Sequence, residues 1–503
     1  PMAHTFHIPV LGLGYSIDTP LKVAKFGISS VVSIVDDELT ERMRKYHSKI
    51  HNLPYQLIDK KEINSRARRI TAYLNLLGKI IAAQMAEMKN LSFEASNDLC
   101  KYFELLPESS ELGVKYRHMQ QLPVSSEKHF LQWELKRSIT AGSIDVNIMS
   151  KVDKANYLND VYLGDENTDA LASIRGFAES DLKSAVVISA GLNPRLFSYM
   201  EELGDFYPGS DGTFQKTITL KVSDFRSALI QAKVLAKKGL WVSEFRIESG
   251  LNCGGHAFAT DGLLLGPILQ EFKDNRSNLF SELYALYSDA LAKKGHLFNN
   301  TQKPLQRLSV QGGIGTAEEH EFLMSYYQLD ATGWGSPFLL VPEATNVDAE
   351  TLIQLAAAEE SDFYLSNSSP LGIPFNNFKK STGEQQRLDR IARGRPGSPC
   401  TKKFLVSNTE FTAEPICTAS REYQNLKIQQ LQSLNLALEQ LEREISRVTE
   451  KVCLCEGLCA SAYISEGILK PRENNAVAIC PGPNLAYFSR KYNLKEMVGH
   501  IYG

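Results

Sequence analysis

The residues best suited to chemistry lie in one short run, Ser249-Gly250-Leu251-Asn252-Cys253-Gly254-Gly255-His256. It follows Val242-Ser243-Glu244-Phe245-Arg246-Ile247, a β-prone segment that predicts a strand. Adjacent glycines at a strand end let backbone amides approach a ligand, and an imidazole beside them can move a proton near neutral pH. His256 is therefore the candidate acid/base, with Gly254 and Gly255 as ligand-contacting positions. Cys253 reads as a buried bystander thiol. A second turn, Gly312-Gly313-Ile314-Gly315, lies between a strand candidate, Leu308-Ser309-Val310, and a helix from Glu318 to Tyr327. Amides in such a turn, with the helix N-terminus, make an anion site suited to phosphate. Gly335 and Ser336, in Gly333-Trp334-Gly335-Ser336, add amides and a hydroxyl at the next strand end.

Thiols form the other cluster. Of eight cysteines, Cys400, Cys417, Cys453, Cys455, Cys459 and Cys480 fall in the last quarter of the chain. Thiolates are soft ligands that suit zinc or an iron–sulfur cluster. The Cys453-Leu454-Cys455 and Cys459 spacing matches neither a zinc ribbon nor a ferredoxin run, so reduced core cysteines or a redox pair weigh equally. The first-choice metal set is Cys400, Cys417, Cys453 and Cys455, with Cys459 and Cys480 in reserve.

The elements that must position these groups alternate between strand and helix. His7 to Leu13 and Ile28 to Val35 are strand candidates, with a short helix, Leu21 to Phe26, between them. Ser143 to Ile148 and Ala185 to Gly191 are further strands, and Leu171 to Ser180, Val222 to Lys238 and Ser281 to Lys294 are helices. Repeated βα units of this kind predict an α/β fold, a (β/α)8 TIM barrel. Residues 1–54 begin the barrel, 55–135 form a helical insertion, 136–395 complete the barrel, and 396–503 form a helical, cysteine-rich appendage. In the appendage Tyr423 to Val452 reads as one long helix, with Ile428, Leu431, Leu434, Leu438, Leu441 and Ile445 on one face. That face suits a homodimer or packing on the barrel equally. The loop Ser366 to Asn377 is a connection or a cap over the active site.

Composition excludes several classes. A net charge of −3 carries no nucleic-acid or membrane-surface footprint. No run of about 18 apolar residues predicts a membrane span. Pro1 before Met2 reads as an expression remnant, and without a basic-then-apolar leader the expected location is cytoplasmic, with reduced thiols.

The motifs, taken in order, resemble the nitronate monooxygenase (2-nitropropane dioxygenase) group of FMN-binding TIM barrels. Flavin-type enoyl-acyl-carrier-protein reductases and the reductase subunit of polyunsaturated fatty acid synthases are relatives of that group. Ile8-Pro9-Val10-Leu11-Gly12-Leu13-Gly14 is similar to its opening strand and small-residue loop, which makes Gly12 and Gly14 cofactor candidates. Asn147 stands where the group has a flavin-binding Asn, and Ser189 lies in a matching strand end. Cys253-Gly254-Gly255-His256 resembles its Ala-Gly-Gly-His, and Gly312-Gly313-Ile314 its phosphate loop. Its last motif is recognisable from Asp330 to Phe338, but Gly333 replaces a Gln and Pro337 an Arg. The resemblance implies bound FMN, a small-molecule or acyl substrate, and NAD(P)H or another electron donor, with oxygenase and reductase chemistry both open. A non-redox barrel acting on a phosphorylated metabolite, and a catalytically silent flavin-binding assembly module, are the competing readings.

Overall fold

The computed structural model describes residues 2–94, 96–189, 191, 193–248, 264–296, 303–372 and 374–503. Eight parallel strands close a barrel: β1 (Phe6–Ile8), β2 (Ser29–Ser33), β3 (Ile144–Asn147), β6 (Ser184–Ile188), β7 (Lys216–Val222), β8 (Val242–Glu248), β9 (Arg307–Gln311) and β10 (Ala331–Gly333). Each pairs with its neighbour in this order, and β10 closes on β1 through Phe6 against Thr332 and His7 against Gly333. Two small hairpins lie outside the barrel. They are β4 (Tyr157–Leu158) with β5 (Val161–Tyr162), and β11 (Phe363–Ser366) with β12 (Phe375–Phe378).

The barrel follows from strands with two different faces. In β7, Ile218, Leu220 and Val222 point outward into the main apolar core, while Thr219 and Lys221 take the alternate positions. Register carries that second face around the sheet: Ser33 pairs with Asn147, Asn147 with Val187, Val187 with Thr219, and Thr219 with Glu244. Arg246 then pairs with Ser309, and Glu248 with Gln311. Barrel interiors are ordinarily filled by branched aliphatics. This lumen is instead largely polar, with Val10, Val31 and Val187 as a small separate apolar cluster.

Between β2 and β3 stand the helices Asp37–Ile50, Ser65–Asn90, Asp98–Glu104, Glu111–Gln121 and Ser126–Ser138. The 26-residue helix Ser65–Asn90 carries the apolar stripe Ile70, Tyr73, Leu74, Leu77 and Ile81, all buried. It packs on Asp169–Ala178 so closely that a Cβ on Gly176 would meet the Ala67 carbonyl oxygen at 2.6 Å. No described helix is long and apolar enough to cross a membrane.

The expected long helix from Tyr423 to Val452 is two helices, Arg421–Gln432 and Leu438–Thr449. The chain breaks at Ser433 to Ala437, where Asn435 adopts φ +45°. Asn tolerates that left-handed backbone, and a helix ends where it is adopted. The segment Ser366 to Asn377 is the hairpin turn between β11 and β12 with parts of its strands. Val452 N–H donates to Ser368 O at 3.0 Å and Lys451 Nζ to Ser369 O at 3.0 Å, tying the turn to the C-terminal region.

That C-terminal region returns to the mouth of the barrel. Helix Leu454–Ser465 lies against the loop after β1, where Gly14 N–H donates to Leu458 O at 2.8 Å. A Cβ on Gly14 would meet the Ala462 Cβ at 2.9 Å, so glycine is needed there for close packing. Tyr15 donates to Ala478 O at 2.6 Å, and Ser461 Oγ bonds Asp348 at 2.7 Å.

Candidate active site at the barrel mouth

The C-terminal ends of the strands, where barrel enzymes place their chemistry, carry Asn147, Lys221, Glu248, Gln311 and Gly333. Register turns these side chains inward, and hydrogen bonds join several of them. His7 Nε2 meets Gln311 Oε1 at 3.3 Å, and Gln311 Nε2 donates to Glu248 Oε2 at 2.8 Å. Lys221 Nζ lies 4.0 Å from Glu248 Oε1. Gly333 makes room for this chain: a Cβ there would meet Gln311 Cβ at 2.6 Å and His7 Nε2 at 2.8 Å.

One layer deeper sits an ion cluster. Arg246, 2% exposed, donates to Glu244 Oε1 at 2.9 Å and to Asp145 Oδ2 at 3.2 Å. Ser309 Oγ also donates to Glu244 Oε1, at 2.5 Å. Burial pushes the Glu244 carboxyl up, but Arg246, with Arg307 and His7, reverses that and holds it at about 2. Burial wins at Asp145, whose carboxyl stays above its ordinary value despite Arg246. Arg246 Nη1 and the Ser33 hydroxyl are buried without hydrogen-bond partners, so polar capacity remains inside the barrel.

Three buried imidazoles are held neutral. Burial pulls His4 to about 4 and His7 to about 3, the latter helped by Arg246, and burial brings His320 to about 4. In the unfolded chain each protonates near its ordinary value of about 6.5. Unfolding therefore takes up protons below that pH, and the stability these groups permit, complete above about 6.5, is lost as the pH falls toward 4. The melting temperature is expected to be lower at pH 5 than at pH 7.5, and the decline to be shallower in His7→Gln. A thermal unfolding series across that range checks this, and an unchanged or rising melting temperature on acidification would contradict it.

Among the expected cofactor positions, Asn147 ends β3 and faces the lumen. Ser189 follows β6. Gly312 and Gly313 follow β9 with φ +97° and +77°, backbone that a side chain rarely adopts. The Gly315 amide already donates to Glu319 Oε2 at 2.7 Å, within the capping box of helix Ala317–Tyr326. Ser336 Oγ accepts from Gly482 N–H at 2.6 Å, and Asn484 Nδ2 donates to Ile314 O at 3.1 Å. The appendage thus adds Gly482 and Asn484 to the phosphate-loop side of the mouth. Gly12, Ser336 and Cys480 line one small cleft there, with Gly335 beside Ser336. The Gly14 amide is taken by Leu458, so Gly14 serves the packing of the appendage.

His256, Gly254, Gly255 and Cys253 lie outside the described residues. Glu248 is the last described position before them, at the end of β8. Lys221, Glu248, Gln311 and His7 were not singled out in the sequence. Their only signal is the alternation of charged and apolar residues in strands that a closed barrel turns inward.

The metal expectation gains no support from the described residues. Among the described residues no group of three or more His, Cys, Asp or Glu is arranged to hold a metal ion. Cys400 bears most closely on Cys417 and Cys453 on Cys455, and Cys453 also bears on Cys400 and Cys417, so the four thiols share one neighbourhood. Cys459 donates to Asp36 Oδ2 at 3.3 Å, and Cys480 lines the small cleft at the barrel mouth.

With the fold and mouth described, two solved structures can be set beside this chain. The enoyl reductase domain of MlnA, from the macrolactin biosynthesis cluster of Bacillus amyloliquefaciens, is 13% identical, with 78% of this chain and 91% of that chain covered and a TM-score of 0.38. A single-site mutant of FabK from Thermotoga maritima is 11% identical, with 73% and 76% covered and a TM-score of 0.34. No protein-family model and no curated protein matches the chain.

Proposed function

We propose that the chain is an FMN-dependent oxidoreductase of the enoyl reductase-like and nitronate monooxygenase-like group. Its substrate is a small molecule or acyl compound, with NAD(P)H or another donor as the electron source. The observation that carries this reading is the mouth of the barrel. Asn147, Glu248 and Gln311 end their strands there, and Lys221 stands one residue before the end of its own, beside the left-handed Gly312-Gly313 turn.

The residues present fit the group. Gly312 and Gly313 bring backbone close enough to hold a phosphate, with the Ser336 hydroxyl on the adjacent turn. Lys221 offers a cation, and Asn147 and Gln311 offer amides, to the polar edge of a flat ring. The unpartnered Ser33 hydroxyl at the end of β2 is a further polar atom facing that space. When bound, FMN supplies the redox chemistry, while the protein supplies position and electrostatics. Glu248 holds Lys221 and Gln311 in place through the contacts above. His256, eight positions past the end of β8, takes a proton from, or gives one to, the reacting carbon.

The test is an anaerobic assay of the FMN-loaded full chain with NADH or NADPH and a 2-enoyl thioester, run beside an aerobic assay with a nitroalkane. Nicotinamide-dependent loss of the enoyl thioester supports the reductase branch, and aerobic loss of the nitroalkane the oxygenase branch. Flavin that responds to neither class would overturn the proposal.

A further inference from the structure

Three hydrogen bonds reach the glycine turn after β9 and the adjoining turn after β10 from the last stretch of the chain. Asn484 Nδ2 donates to Ile314 O at 3.1 Å, His500 Nε2 to Gly315 O at 2.7 Å, and Gly482 N–H to Ser336 Oγ at 2.6 Å. A carbonyl oxygen only accepts, so His500 Nε2 carries a proton. The donors are held in place by their own surroundings. Asn484 is 8% exposed. The His500 ring meets Trp334 and Phe488 edge-on, with centroids 6.1 and 5.0 Å away. Its helix, Leu494–Tyr502, buries Leu494, Met497, Val498 and Ile501, and Tyr502 OH accepts from Thr5 N–H at 3.2 Å. A Cβ on Gly482 would meet Asn484 Oδ1 at 2.6 Å and Ser336 Oγ at 3.1 Å, so a glycine lets this strap approach the barrel.

These bonds set which way the turn faces. In a trans peptide the C=O and the following N–H point in opposite directions. With the Ile314 and Gly315 carbonyls drawn to the strap, the Gly315 and Thr316 amides turn to Glu319 Oε2, at 2.7 and 3.1 Å. An anion is then left with the earlier amides of the turn, and those of Gly313 and Ile314 have no acceptor among the described residues. Ser336, having accepted from Gly482, keeps its hydroxyl proton for donation to the same anion. Gly312 and Gly313, at φ +97° and +77°, restrict the backbone least, so the orientation depends on contacts from outside the turn.

We propose that Asn484 and His500 are positioning residues for the flavin phosphate, holding the Gly312–Gly315 turn in its anion-accepting orientation. This rests on the flavin reading above and extends the cofactor site to the C-terminal appendage. Each side chain acts through the peptide unit it holds. The appendage therefore governs how far the protein prefers a phosphorylated flavin to one without the phosphate, while the isoalloxazine ring depends on the barrel residues.

The test titrates FMN and riboflavin, which lacks the phosphate, into the flavin-free full chain and follows flavin fluorescence. His500→Phe keeps the ring contacts and removes the donor, His500→Gln keeps a donor, and Asn484→Leu removes the buried donor without adding charge. FMN should bind His500→Phe and Asn484→Leu about fivefold more weakly than wild type, the loss of one hydrogen bond. Riboflavin should bind all the chains alike, and His500→Gln should bind FMN as wild type does. His500 is exposed, so its two variants decide the matter even where Asn484→Leu fails to fold. Equal losses for the two flavins, a His500→Gln chain as weak as His500→Phe, or FMN bound by the variants as tightly as by wild type would each overturn the positioning role and leave the flavin reading standing. A wild type that takes up neither flavin would overturn that reading, and this one with it.

Discussion

Arg246→Ala should cost about 3–5 kcal/mol of folding stability, the range for removing one member of a buried ion pair. The guanidinium is 2% exposed and bonds both Glu244 and Asp145. Its loss leaves Glu244 ionised in the barrel lumen with Arg307, 3.6 Å away at the rim, as the remaining cation. Water cannot compensate a charge at that depth, so most of the loss is the desolvation of an uncompensated carboxylate. The double variant Arg246→Met with Glu244→Gln should recover part of the loss, since removing both charges costs less than stranding one. Urea unfolding of the three chains checks this. A single variant within about 0.5 kcal/mol of wild type would mean the cluster is solvated and the lumen is open to water.

His256→Ala should lower turnover by roughly 10²- to 10⁴-fold, the usual contribution of a positioned acid/base, while leaving flavin bound. Flavin affinity would rest on the Gly312-Gly313 turn, Ser336, Lys221 and Asn147, all of which the variant retains. The loss should appear in kcat rather than KM, because in the proposed role the imidazole would act on the reacting carbon and not on the rest of the substrate. The pH dependence of kcat/KM should also lose one limb. Unchanged turnover, or loss of the flavin together with activity, would remove His256 from the role assigned to it.

The barrel was legible because its strands are bounded apolar runs. The run Ala185 to Gly191 predicts β6 (Ser184–Ile188), and Ser143 to Ile148 predicts β3 (Ile144–Asn147). The lumen was not legible. Glu244, Arg246 and Glu248 alternate with Phe245 and Ile247, a pattern that equally describes a strand with one face in water. Only closure of β10 onto β1 turns that face inward and makes its charges pair. β7 went unnoticed for the same reason, since Lys216, Thr217, Thr219 and Lys221 dilute its apolar residues. The break at Asn435 was hidden because leucines continue at helical spacing on both sides of it. The four thiols chosen from the sequence do lie in one region. Their mutual contact depends on where residues 398–417 cross the start of helix Leu454–Ser465, which spacing cannot reveal. Gly482 and Asn484 reach the barrel mouth only through the return of the appendage, far in sequence from the glycine turn they border.

The most direct test of the central claim is the visible absorption spectrum of the purified full chain, with FMN released by denaturation and counted per chain. The account predicts flavin bands and about one FMN per chain after reconstitution, with occupancy reduced in Lys221→Met. A colourless protein that takes up no FMN, yet binds a phosphorylated metabolite at the Gly312-Gly313 turn, would contradict it.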